Sequence, residues 1–196
     1  MNKKQQASEQ TKKLILDKAT ILFSERGYAS TSIEDIVSST GVSKGNIYYH
    51  FGNKENLFLN LLNDWHTHWQ EQWESKVSSF RTCTDKLYGL AEHTVLHDFK
   101  HPLTKAMEEF WTSSFVKVEV RNQVDALMKH HLRLYEQILE EGMQNNEFKQ
   151  RDLLILSMIL EGLLSGIGLF AYKLSTEQAL TLYKEAIHTL LEGISV

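Results

Sequence analysis

A chain of 196 residues, 42% hydrophobic and 23% charged, can build a sizeable core and has the charge fraction of an ordinary soluble protein. Its one cysteine, Cys83, excludes an intramolecular disulfide framework and fits a reduced thiol. The net charge of −4 is uneven: residues 1–60 carry eight Lys and Arg against six Asp and Glu, and the rest thirteen against nineteen, so a mildly basic head precedes an acidic body and a polyanion partner is favoured at the N-terminal end.

The first thirteen residues, MNKKQQASEQTKK, are basic and polar, with no apolar run behind them of the kind a signal peptide needs, so a cytoplasmic protein is expected. Ile15, Leu16, Ala19, Leu22 and Phe23 fall on one helical face, and Gly27 follows as a stop. Thr31 and Glu34 have the spacing of a capping box, with Ile33, Ile36 and Val37 as a short apolar stripe behind them. Thr40-Gly41 ends that helix. Ser43 caps the next, whose buried positions are Ile47 and Phe51, and Asn53 caps a long helix carrying Leu57, Leu61, Trp65, Trp69 and Trp73 at four-residue spacing. Further helices are predicted over about 85–101, stopped by Pro102, then 102–114, 118–143, 152–172 and 176–193. Phe115 to Val120 alternates with period two, but no second run exists for it to pair with, so it is read as a loop leading into a helix. The expectation is an all-α chain of about nine helices.

The two short helices joined by Ser39-Thr40-Gly41-Val42 fit a helix-turn-helix, in which the second helix enters the major groove of DNA. With Ile47 and Phe51 turned inward, Ser43, Lys44, Gly45, Asn46, Tyr48, Tyr49 and His50 are left on the outer surface, rich in hydrogen-bond donors. Glycine inside a helix costs about 1 kcal/mol relative to alanine, so Gly45 implies that bulk is not tolerated where the backbone nears base edges. Lys44 and Lys54 each occupy the first turn of a helix, where the macrodipole disfavours a cation. There the ammonium and the free N–H groups both attract a phosphate.

Between Phe23 and Phe58, "GYASTSIEDIV" and "TGVSKGNIYYHFGNKENLF", with their spacing, resemble the N-terminal domain of the TetR family of transcriptional regulators. The resemblance implies a three-helix DNA-binding domain over residues 1–53 and a larger helical domain over 54–196 that binds a small effector and forms a homodimer. It further implies a repressor released from a palindromic double-stranded operator by a small hydrophobic or cationic effector, with no cofactor and no membrane association. The DNA-facing positions it implies are Thr31, Ser32, Val42, Ser43, Lys44, Gly45, Asn46, Tyr48, Tyr49, His50 and Lys54, of which Tyr49, His50 and Lys54 meet phosphates. "SKGNIYYHFGNKENLFLNLL" followed by "WQEQW" is similar to the multidrug-binding, QacR-type members, which take aromatic cations. Trp69 falls on a pocket tryptophan of those members and Asp98 near one of their acidic positions. Trp65, His66 and Met128 stand where other acidic positions would be.

An effector pocket in a helical domain is mostly apolar and aromatic with a few polar groups. Trp65, Trp69, Trp73, Asp98, Phe99, Glu109, Phe110, Trp111 and Tyr135 are the candidates, with Phe115 beside them; core packing is the competing reading for each aromatic. Leu153 to Tyr172 is almost continuously apolar, but Glu161 at its centre would be costly in lipid, so a second subunit is expected to cover what its own domain does not. Glu161, Gly162, Ser165, Gly166 and Leu169, with Tyr183, Ile187 and Leu190 of the last helix, are the expected dimer contacts. No phosphate loop, nucleophile motif or paired-carboxylate constellation is present, and an enzyme is not expected. One alternative stays open. His93, His97 and His101 at i, i+4 and i+8 suggest one helix face, although the outer two lie about 12 Å apart. A metal-sensing regulator or a small metal-binding enzyme would use two of them with ligands from elsewhere.

Overall fold

The computed structural model describes residues 2–113, 118–171 and 173–196, and the side chains of all of these except 118, 121, 124, 125, 127–130, 169 and 170. Among the described residues there are nine α-helices and a single isolated antiparallel bridge, Phe148 to Ser195. They are α1 (Lys3–Arg26), α2 (Ile33–Thr40), α3 (Lys44–Phe51), α4 (Lys54–Val77), α5 (Cys83–His97), α6 (Thr104–Thr112), α7 (Val118–Gln144), α8 (Leu153–Ala171) and α9 (Thr176–Ile194). Phe115 lies outside the described residues, and Val118 to Val120 already belong to α7. The helices form two compact units: Met1–His66 with His101–Val124, and Thr67–Lys100 with Asp125–Val196.

The first unit is built on an aromatic knot. Phe23 and Phe58 meet edge-on with centroids 4.9 Å apart, Tyr28 lies 5.0 Å from Phe58, and Phe110 of α6 packs against both Tyr28 and Phe58 at 4.7 and 5.0 Å. Ile15, Ala19, Ile33, Ile36, Ile47, Phe51 and Leu57 complete this core. α1 begins far upstream of its apolar face, at Lys3, because Asn2 and Gln5 form a capping box with the first backbone N–H groups.

Between α1 and α2 the capping residue is Ser32 with Asp35, one position later than the Thr31–Glu34 pair expected. The reason is tertiary. The Thr31 hydroxyl is buried and faces the carbonyls of Gly27 at 2.8 Å and Leu22 at 3.2 Å, so it is not free to cap, and the Ser32 hydroxyl accepts from Asp35 N–H instead. Gly41 ends α2 with φ +70°, a left-handed conformation suited to glycine. Ser43 and Asn53 cap as expected: the Ser43 hydroxyl accepts from Asn46 N–H at 3.3 Å, and Asn53 Oδ1 accepts from Asn56 N–H at 2.7 Å.

In the second unit Trp69 and Trp73 join Leu87, Leu90, Val95, Tyr135, Leu139, Leu160, Tyr183 and Ile187 in one buried cluster. Glu147 closes the N-terminus of α5, its carboxylate accepting from the N–H groups of Cys83 and Thr84 at 3.0 and 3.1 Å. α5 ends at His97, not at Pro102: Asp98 is its C-cap and Lys100 takes a positive φ of 60°. His101 therefore leaves the helix face that His93 and His97 occupy.

Candidate functional site

α3 presents the surface its sequence suggests. Ile47 and Phe51 are buried, while Ser43, Lys44, Gly45, Asn46, Tyr48 and Tyr49 are exposed, Tyr49 at 80%. Val42, His50 and Ser32 are half-buried, and the His50 ring lies edge-on to Tyr49 at 5.2 Å. A Cβ built on Gly45 meets no atom within 4 Å, so nothing in this chain requires the glycine. Lys44 pairs with Glu34 of α2, and that hydrogen bond raises the Lys44 ammonium above its ordinary range. Thr31, expected on this surface, is 1% exposed; its side chain is a structural tether of the α1–α2 turn. The Lys54 ammonium lies 4.2 Å from the centre of the Tyr28 ring, and burial lowers it below the usual lysine range.

Behind this surface α6 reaches into the same unit. Glu109 Oε2 accepts from the N–H of Ala29 at 3.0 Å, and both carboxylate oxygens fill the space a Cβ on Gly27 would need. Gly27 itself has φ +82°, so both conformation and space exclude a side chain there. Glu109 and Phe110, expected to line an effector pocket, are thus engaged in holding the head together. Trp111 is 46% exposed. Trp65 stacks on His101 at 3.7 Å and 10°, and His101 Nδ1 accepts from Leu103 N–H.

The remaining effector candidates fall in the second unit. Trp69, Trp73 and Tyr135 are buried, and Phe99 packs against their cluster. Asp98, at the end of α5, is among the charges that act on Tyr135 and Tyr183. Burial, with the Glu161 carboxylate beside it, pushes the Tyr135 phenol well above its ordinary value. His93 Nε2–H donates to the Trp69 carbonyl at 2.9 Å, and the His93 ring lies 4.3 Å from His97. Burial lowers His93 from 6.5 to about 4. Among the described residues no group of three or more His, Cys, Asp or Glu side chains is arranged to hold a metal ion. With His101 off the helix, the three-histidine face does not form.

On α8, Leu154, Ile155, Met158 and Ile159 are 57%, 58%, 58% and 51% exposed. A shallow groove beside them, of about 450 Å³, is lined by Ile155, Ile159, Leu190 and Gly193. These four α8 residues were not singled out from the sequence, where the whole segment reads as apolar. Of the expected dimer contacts, Gly162 and Ser165 are exposed and Gly166 and Leu190 half-buried, whereas the side chain of Leu169 lies outside the described residues. Tyr183 and Ile187 are 3% and 0% exposed inside their own core, because α9 turns that face toward its own unit. Glu161 accepts from Ser165 at 2.5 Å and acts on Tyr135, so it engages its own chain. Among the described residues no helix is long and apolar enough to cross a membrane.

Residues 15–61 match the family model for bacterial regulatory proteins of the tetR family, and residues 65–196 match that of the QacR-like protein, C-terminal region. The HTH-type transcriptional regulator QacR of Staphylococcus aureus (strain Mu50 / ATCC 700699) is 32% identical over 181 residues, covering 92% of this chain and 96% of that protein. In fold, the transcriptional regulator FadR from Bacillus subtilis, solved in complex with stearoyl-CoA, aligns with TM-score 0.80 at 23% identity over 92% of this chain and 97% of its own. A transcriptional regulator from Saccharomonospora viridis in complex with choline aligns with TM-score 0.81 at 19% identity over 96% and 99%. The helix-turn-helix geometry, the two family models and the QacR identity together lead to one conclusion: this chain belongs to the TetR family and is a DNA-binding transcriptional regulator.

Proposed function

We propose that this chain represses transcription from a palindromic operator in the cytoplasm, binding as a homodimer through α3, and that a small effector in the helical domain releases it. The observation that carries the reading is the state of α3: its two apolar residues are buried, and its donors stand exposed with an unobstructed glycine among them. Such a flank contributes little to the core, whereas clustered N–H, O–H and ammonium donors suit base edges and phosphates. In this reading the start of α3 near Lys44 and Gly45 reads bases, and Tyr49, His50 and Lys54 meet phosphates.

The exposed apolar strip of α8 supports pairing with a second copy, since contiguous apolar surface of this kind favours a protein interface. Two copies would offer two recognition helices to half-sites about 34–36 Å apart. The test is a fluorescence-anisotropy titration with the DNA flanking the coding region, at 50 to 200 mM salt. Affinity should fall steeply with salt, Lys54→Ala should weaken binding to every sequence, and Gly45→Leu should abolish operator recognition. Full operator affinity in both variants would overturn the assignment.

A further inference from the structure

Among the described residues, two of the buried side-chain atoms of the second unit that make no hydrogen bond sit on adjoining rings. Trp69 and His93 are 3% and 0% exposed, and their rings adjoin with centroids 4.5 Å apart. His93 Nε2–H donates to the Trp69 carbonyl, which fixes the tautomer and leaves Nδ1 an acceptor. Among the described residues, the Trp69 indole N–H and His93 Nδ1 are both buried without a hydrogen bond. Native interiors rarely leave such groups unsatisfied, and a donor and an acceptor on neighbouring rings call for an occupant that answers both. The imidazole stays neutral at ordinary pH, because burial lowers it to about 4. Nδ1 therefore continues to accept.

Charges of both signs stand around the pair. Trp73 lies 5.6 Å from His93, and the Lys76 ammonium sits 5.9 Å from the centre of the Trp73 ring. Lys76 acts on both His93 and His97, lowering them further. Carboxylates act here as well, Glu92 on Lys76 and both Glu161 and Asp98 on Tyr135 of the same cluster, so the selection rests on hydrogen bonding and not on the sign of the charge.

Building on the effector reading above, we propose that the effector offers Trp69 and His93 one uncharged group that both accepts and donates a hydrogen bond, a hydroxyl or a primary or secondary amide, on an apolar body. The indole N–H donates to its oxygen, and its own O–H or N–H donates to Nδ1. A quaternary ammonium does neither. A carboxylate accepts but cannot donate.

Matched probes separate these classes: 1-decanol, decanamide, decanoate and decyltrimethylammonium, each titrated calorimetrically into the full chain. The alcohol and the amide should bind about tenfold or more tightly than the other two. Trp69→Phe and His93→Leu should each lower alcohol affinity about tenfold and leave that of decyltrimethylammonium unchanged. Wild-type operator binding by each variant without probe shows that it has folded, and Trp69→Tyr serves as a second variant should one fail to fold. Tighter binding of the cation or the carboxylate, indifference of both variants, or no binding of alcohol or amide overturns the proposal; in the last case a resident water satisfies the pair. Operator release is read separately by anisotropy. An alcohol that binds through Trp69 and His93 without releasing DNA would refute the release mechanism while leaving the ligand chemistry intact.

Discussion

Replacing Gly45 with alanine separates the stability of the head from its grip on DNA. Nothing lies within 4 Å of a Cβ placed there, and the backbone is not in the left-handed region. Neither packing nor conformation therefore opposes a methyl group. Alanine should stabilise α3 by up to about 1 kcal/mol, the helix-propensity difference, which for a chain of this size raises Tm by about 2–4 °C. If the glycine instead serves close approach to base edges, the same methyl group should weaken operator binding by about 1.4 kcal/mol or more, a factor of at least ten. Binding to unrelated DNA, dominated by phosphate contacts, should change little. Thermal melts by circular dichroism and anisotropy titrations at one salt concentration read the two effects independently. A variant that melts higher and still binds the operator like wild type would refute the reasoning, since α3 could not then enter the groove by its N-terminal end.

Thr31→Val should cost about 1–2 kcal/mol in a urea melt, because it removes a buried hydroxyl that faces two carbonyls; unchanged stability with reduced operator affinity would return Thr31 to the DNA surface. Stability should also fall on acidification between about pH 6.5 and pH 4. His93 has its folded value lowered from 6.5 to about 4, so the unfolded chain takes up the proton first, and stability present above pH 6.5 is lost as pH drops toward the folded value. The full effect is roughly 3 kcal/mol for a side chain this buried. His101, which burial also lowers to about 4, shares this window, so His93→Gln should reduce the slope without abolishing it, and identical slopes for variant and wild type would exclude the mechanism. Finally, Ile155→Glu with Ile159→Glu places two charges on residues 58% and 51% exposed, so the monomer should keep its fold; light scattering should show the loss of the dimer, and a dimer that persists would place the interface elsewhere.

What the sequence made legible was local. The caps at Ser43 and Asn53, the glycine stop of α2 and the inward pair Ile47 and Phe51 depend on neighbours within a few residues, and each is where its pattern puts it. Thr31 and Ser32 could not be told apart, because the choice between two hydroxyls rests on the carbonyl of Leu22, nine residues away. The start of α1 was equally hidden: no apolar periodicity exists before Ile15, and the helix there depends on a capping box. Pro102 marks the latest possible end of α5 but not the actual one, since the backbone leaves the helix at Asp98 and turns at Lys100. Tyr183 and Ile187, expected at a dimer contact, share one apolar face of α9 that packs into its own core, and periodicity does not say whether a face meets its own chain or a second one.

Glu109 and Phe110 are the most informative displacement. Aromatics beside carboxylates suit a bound cation as well as a core, and composition alone does not choose between them. The choice is made by Gly27 and Ala29. A turn with φ +82° leaves a backbone N–H and an open space facing the same direction, and a carboxylate on α6 satisfies the first by occupying the second. Phe110 completes the contact by packing edge-on to Tyr28 at 4.7 Å, the same ring that carries the Lys54 ammonium on a face. The compact head therefore comprises α1, α2 and α3, the first half of α4, and a segment that returns some forty residues later in the chain with α6 and the start of α7. Any change that moves α6 acts on the turn between α1 and α2 directly, through one hydrogen bond and one aromatic contact. That turn sets where α2 begins, and α2 holds Lys44 of the recognition helix through Glu34.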